Sequence, residues 1–218
     1  MIKLNLQQFG GRGSGSGGDL LGKSGDPGKV SNIRDMISMR GQQQQETDDV
    51  LSVARRMTSL FGQDQAINQF QVANMTGSAM AYYDSDGNIA MNQKYMNTEG
   101  MNAAYDAAVK SGFHPGRGNK SGTEAVASHE YGHALADKCG QKLGQRDIEA
   151  ASRTIVERAR KKTGQRTNMA FAQKISGYAQ YNFAECVAEA VSDWHCNGSK
   201  AKKESRAIVA VMNSILKH

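Results

Sequence analysis

The chain has 218 residues, 39% hydrophobic and 22% charged, which is enough for one core plus appendages and too apolar for wholesale disorder. No run approaches the roughly 18 consecutive apolar residues needed to span a bilayer. Residues 1–9 are too short and polar for the core of a signal peptide, so neither membrane insertion nor classical secretion is expected. The net charge of +6 is local: residues 153–166 carry six basic side chains against one acid, Glu157, and residues 200–217 carry five against Glu204. With no aromatic interleaving and no recognisable nucleic-acid module, these runs read as solvated helix faces, and nucleic acid is not the expected partner.

Nine of the 24 glycines fall in the first 28 residues. So few bulky side chains cannot offset the entropy of ordering, so residues 1–45 are expected to form a disordered Gly/Gln-rich tether, with one domain over 46–218. Thr47-Asp-Asp can cap a helix whose apolar positions Val50, Leu51, Ala54, Met57, Leu60 and Phe61 follow a 3.6-residue period, with Gly62 as its end. Residues 78–83 and 89–91 flank Asp84-Ser-Asp-Gly-Asn88, and the Asp86-Gly87 pair predicts a turn between two short antiparallel strands. A helix over 98–110 follows, then a breaker-rich loop over 112–120. Ser121-Gly-Thr-Glu124 has the spacing of a capping box and opens a helix expected to stop at Gly140. Further helices are expected over 147–162, 182–196 and 201–217. Cys139, Cys186 and Cys196 lack CxxC spacing and are odd in number, so reduced thiols are expected.

Inside the capped helix stands His129-Glu-Tyr-Gly-His133. Residues four apart share a helix face, so both imidazoles can reach one Zn2+, with Glu130 beside the open position as a general base. A shuffled chain of this composition would contain such an HExxH pentapeptide with an expectation of ~0.005, so chance is a poor explanation. Catalytic zinc normally takes three protein ligands. His114 and His195 are candidates for the third, as are Glu185, Glu189 and Asp193, which recur at i, i+4 and i+8 on the helix over 182–196. By pattern alone this acidic stripe is either a solvated face or a set of carboxylates held near a cation.

The segment Ile175-Ser-Gly-Tyr-Ala-Gln-Tyr-Asn-Phe-Ala-Glu-Cys-Val-Ala-Glu-Ala190 resembles the Tyr…Asn..Glu-x-x-Ala-Glu-Ala stretch that follows HExxH in metalloproteases similar to the catalytic domain of anthrax lethal factor. Related sequences occur in phage and prophage proteins. The resemblance covers residues 77–194. It implies a zincin-like α+β fold, mostly helical with a small antiparallel sheet, and a zinc metallopeptidase acting on a protein or peptide. It also implies His129, His133 and Glu185 as zinc ligands and Tyr178 facing the metal. Cys186 and Val187 stand where that family often has aromatic residues. A second register aligns Glu189-Ala-Val-Ser-Asp193 with the Glu-x-x-x-Asp of thermolysin-like enzymes, making Glu189 the ligand and Asp193 the orienter of a histidine. In the preferred register Glu189 instead accepts a hydrogen bond from a ligand imidazole, and Asp193 supports the site from behind.

The opening Leu4-Asn-Leu-Gln-Gln-Phe-Gly-Gly-Arg-Gly13 resembles the N-termini of phage minor head proteins. That resemblance implies a virion-associated or prophage-encoded protein, in the virion or the host cytoplasm, with capsid proteins among its partners. It also supports the rival reading of a structural head protein whose metalloprotease-like domain is inactive.

Overall fold

The computed structural model describes residues 37–38, 44–62 and 67–217. It consists of β1 (Ile37–Ser38), α1 (Gln44–Phe61), β2 (Gln69–Ala73), β3 (Ala81–Tyr83), β4 (Asn88–Asn92), α2 (Thr98–Lys110), α3 (Gly122–Leu143), α4 (Ile148–Thr163), α5 (Asn168–Ile175), α6 (Phe183–Asn197) and α7 (Lys203–Leu216). The protein is α+β and mostly helical, as the sequence implies, and no helix among the described residues is long and apolar enough to cross a membrane. Most of the expected tether lies outside the described residues. Its last two positions do not behave as tether: Gln44 and Gln45 open α1, each bonding the aspartate one turn on (Gln44 to Asp48 at 2.9 Å, Gln45 to Asp49 at 2.7 Å). Thr47 therefore sits inside the helix rather than capping it.

The expected hairpin is present, with β3 antiparallel to β4 across the Asp86-Gly87 turn, but the sheet is not purely antiparallel. β2 runs parallel to β4 in the register Phe70–Ile89 and Val72–Met91, and β1 runs parallel to β2, giving the order β1-β2-β4-β3. β3 is thus an edge strand. It packs on α3, where the Tyr83 hydroxyl lies 3.4 Å from Asp137 Oδ2.

The centre of the molecule is α3. Seventeen of its 22 residues are buried, so it is enclosed on all sides, by α1, α2, α4, α6, α7 and the sheet edge. The capping box forms as read: Ser121 Oγ accepts from the Glu124 amide at 3.0 Å, and the Glu124 carboxylate accepts from the Ser121 amide. Gly140 does not end the helix. The chain doubles back onto it, Gln145 N donating to Gly140 O at 2.8 Å, and α3 instead terminates at Gly144, whose φ of 69° is left-handed. A Cβ on Gly140 would stand 2.8 Å from Gln145 O, so that glycine permits a close approach.

α3 and α6 cross closely. A Cβ on Gly132 would fall 2.7 Å from Ala188 Cα and 3.2 Å from Val191 Cβ, and the Ser192 hydroxyl donates across the crossing to Ala125 O at 2.9 Å. α6 is capped by Asn182, whose side chain accepts from the Glu185 amide, and Glu149 of α4 accepts from the two free amides of Phe183 and Ala184. The short helix α5, capped by Thr167, has no counterpart in the sequence reading.

Two outcomes follow from these contacts. Gly132→Ala should force the α3–α6 crossing apart and lower unfolding stability by about 1–3 kcal/mol, seen as a lower urea midpoint. Glu124 is the second case: burial opposes its charge, but His195, Lys120 and Ser52 hydrogen-bond its carboxylate and hold its pKa at about 2, below the ordinary 4.5. Its contribution is complete above pH 4.5 and disappears as pH falls toward 2. The stability gap between the wild type and Glu124→Gln should accordingly be widest near pH 7 and close across that window.

Candidate metal centre

HExxH occupies the third and fourth turns of α3, and the close crossing at Gly132 delivers Glu185 from the first turn of α6 to the two imidazoles. The donor atoms of His129, His133 and Glu185 lie within 4.8 Å of one another. Glu185 Oε2 is 3.1 Å from His129 Nε2 and 3.5 Å from His133 Nε2. Tetrahedral zinc with bonds of 2.0–2.1 Å separates its ligand atoms by about 3.3 Å, so this donor set matches zinc in chemistry and spacing. His133 Nε2 is buried and makes no hydrogen bond, as expected of a nitrogen reserved for a cation.

The acidic stripe is not a solvated face: Glu185 and Glu189 are each 1% exposed and Asp193 is 3% exposed. Glu189 supports the centre rather than joining it. Its Oε1 is 2.8 Å from His129 Nδ1 and 3.0 Å from His114 Nδ1, and its Oε2 accepts from the Ser176 hydroxyl at 2.7 Å. Bonding at Nδ1 leaves the Nε2 of His129 directed at Glu185, the arrangement by which an outer carboxylate fixes the tautomer of a ligand histidine. Asp193 does not reach any imidazole and corrects the sequence reading. Successive side chains four apart drift about 40° around a helix, and by the third repeat the carboxylate points elsewhere. Asp193 accepts from Asn197 Nδ2 and from the Lys202 amide, both at 2.9 Å, and so braces the α6–α7 junction. His195 is likewise remote from the centre, 3.4 Å from Glu124.

Tyr178 begins a 3-10 turn whose backbone is anchored to the loop after α2: Gly177 N donates to Gly112 O and Tyr178 N to Phe113 O, each at 2.9 Å. Its ring stacks on His129 with centroids 6.0 Å apart and packs against Phe113 at 4.8 Å. Burial and the neighbouring Glu185, to which the phenol hydrogen-bonds, push its pKa well above the ordinary tyrosine value, so it remains a neutral donor. Glu130 is fully buried, and burial raises its carboxyl above the usual range. The His129 and His133 imidazoles pull it down, Glu185 adds to the rise, and the Tyr83 backbone amide of β3 opposes it.

Burial alone would strip His129 of its charge, yet hydrogen bonds to Glu185 and Glu189 hold its pKa up at about 10. The same contacts act in reverse on the acids. Burial opposes their charges, but His133 and His129 keep Glu185 far below the carboxylate range, and His114 and His129 hold Glu189 at about 2. A proton on His129 Nε2 and a metal ion compete for one lone pair.

Sequence reasoning overlooked three members of this assembly in their observed roles. His114, weighed only as a ligand, lies flat on Tyr105 (5.2 Å between centroids, 8° between planes) and bonds Glu189. Ser176 and the Tyr83 amide carry no motif. Only the placement of Ser176 two residues before Tyr178 could have hinted at its part.

Comparison with models of protein families, with curated proteins and with solved structures finds no match to this chain.

If Glu189 fixes the His129 ring, Glu189→Gln should weaken zinc binding 10- to 100-fold while leaving all three donor side chains in place. Competition against a chromophoric chelator measures this; an unchanged affinity would dismiss the orienting role.

Proposed function

We propose that this chain is a zinc-dependent endopeptidase of the zincin-like type, virion-associated or prophage-encoded. The observation that carries the reading is the convergence of Glu185 on the two imidazoles of HExxH, with Glu130 the next residue after one of them. The residues that would hold the ion are His129, His133 and Glu185. When bound, zinc supplies Lewis acidity, polarising a peptide carbonyl and lowering the pKa of an adjacent water toward 7.

The chain's own groups supply the rest. Glu130 takes a proton from the attacking water and later passes it to the leaving amine, and the burial that raises its carboxyl above the ordinary range favours taking up that proton. Tyr178 remains protonated and can turn its hydroxyl from Glu185 toward the substrate oxygen as negative charge develops there, a contact strongest in the transition state. The edge strand β3, packed on α3 with the Tyr83 amide close to Glu130, is placed to align an extended peptide by strand addition. Extended, flexible segments of protein are the substrates that such an edge would accept. The phage context rests on the resemblances of residues 4–13 and 175–190 described above.

One observation favours a second reading, a head-associated protein whose centre binds metal without turnover. The centre is closed: both oxygens of Glu130 and the Nε2 of His133 have essentially no solvent contact. A peptide has to open this site before it can be cut, and a structural protein has no such need.

Zinc content and cleavage of a panel of unfolded proteins separate the two. The peptidase requires stoichiometric zinc and chelator-sensitive cleavage, and Glu130→Gln should keep the zinc yet lower the cleavage rate at least 100-fold. Full activity in that variant removes Glu130 from the chemistry. Zinc without any cleavage by the wild type leaves the structural reading standing.

A further inference from the structure

The two basic runs are separated by residues 167–199 in the sequence, but the fold joins them. α4 and α7 pack against each other so that the C-terminal end of α4 meets the N-terminal end of α7: Lys203 Nζ is 3.2 Å from Thr163 O, and Gln165 Nε2 donates to Glu204 Oε1 at 3.1 Å. Some of the cations in this corner bind backbone carbonyls. Arg160 donates to Gln165 O and Arg166 O at 2.9 and 3.1 Å, and Lys202 donates to Ile175 O. Those bonds close the chain between α4 and α5 and tie α7 to the end of α5.

The remaining cations are uncommitted. Arg158, Lys161, Lys162, Arg166 and Arg206 are exposed, and none forms an ion pair among the described residues. Of the two acids nearby in sequence, Glu204 is buried and bonded to Gln165, which leaves Glu157 as the only partly exposed negative charge along this part of α4. A helix C-terminus attracts cations through its dipole, which accounts for one or two of them; it does not account for a surface assembled from two separate helices.

We propose that the joined ends of α4 and α7 bind the phosphate backbone of nucleic acid. The chemistry favours nucleic acid over an acidic protein segment. Protein interfaces are built around an apolar, desolvated core. The only large apolar side chains that are exposed among the described residues, Met169 and Tyr181, instead line a cavity of about 280 Å³ beside α5 that contains none of these cations. A cationic surface without apolar anchors recognises charge density and spacing, which a phosphate backbone provides, and has no means of reading base sequence.

The test uses the full-length protein and a fluorescein-labelled 20-base-pair duplex of arbitrary sequence, with affinity measured by anisotropy between 50 and 300 mM salt. The surface predicts binding that weakens linearly on a log–log salt plot. Lys161→Glu/Lys162→Glu/Arg206→Glu should bind at least tenfold more weakly and with a slope shallower by about three. A charge-matched control elsewhere, Lys110→Glu/Lys142→Glu/Arg146→Glu, should retain most of the affinity, which separates this surface from the general effect of net charge. Circular dichroism confirms that both variants fold. No binding at 50 mM salt, or equal losses in the two variants, overturns the proposal. Competition by poly-glutamate as effective as that by duplex at equal charge also overturns it, and assigns the surface to an acidic protein.

Discussion

The candidate centre depends on how closely two helices can approach. An α3 with any side chain at position 132 would hold α6 away, because even a single methyl would stand 2.7 Å from the backbone of Ala188. With hydrogen there instead, Ala188 and Val191 rest directly on α3, and Glu185, one turn before Ala188, reaches both imidazoles. The glycine inside HExxH is therefore as much a part of the site as its histidines, although it offers no donor atom. Ser192 bonding to Ala125 O fixes the same crossing further along, so the geometry at the donors is held by packing on one side and a hydrogen bond on the other.

Around that crossing, charge is balanced by direct contact. Three carboxylates and three imidazoles lie buried within a few ångströms, an arrangement that would be costly if any charge were left alone. Glu189 answers for two rings at once and is itself satisfied by Ser176. The hydroxyl of Ser176 also accepts from the Ala179 amide at 3.0 Å, so the turn that presents Tyr178 is tied to the same carboxylate. His129 and the turn that carries Tyr178 are thus held in direction by a second contact.

The parts that were legible in the sequence are those whose chemistry is local. The HExxH spacing, the capping box at Ser121 and the Asp86-Gly87 turn each lie within a few residues, and each forms as read. Features set by distant partners were not legible. Gln69–Ala73 does alternate in polarity, but its parallel pairing with β4 depends on a chain reversal that no short motif encodes. Gly140 has the composition of a helix stop, yet it is held inside α3 by the returning chain. In the same way Asp193 continued a regular acidic spacing and was turned off the site by helical drift, while His114 entered it from a loop 75 residues away from the carboxylate it contacts.

The separation in sequence between His129 and Glu185 also has a temporal meaning. A chain emerging from the ribosome exposes both histidines well before the residues that complete their surroundings, and α6 can dock only after α4 and α5 have been synthesised. The cage therefore cannot close until the chain has been made through α6. The complete donor set is thus withheld from the nascent chain until α6 docks.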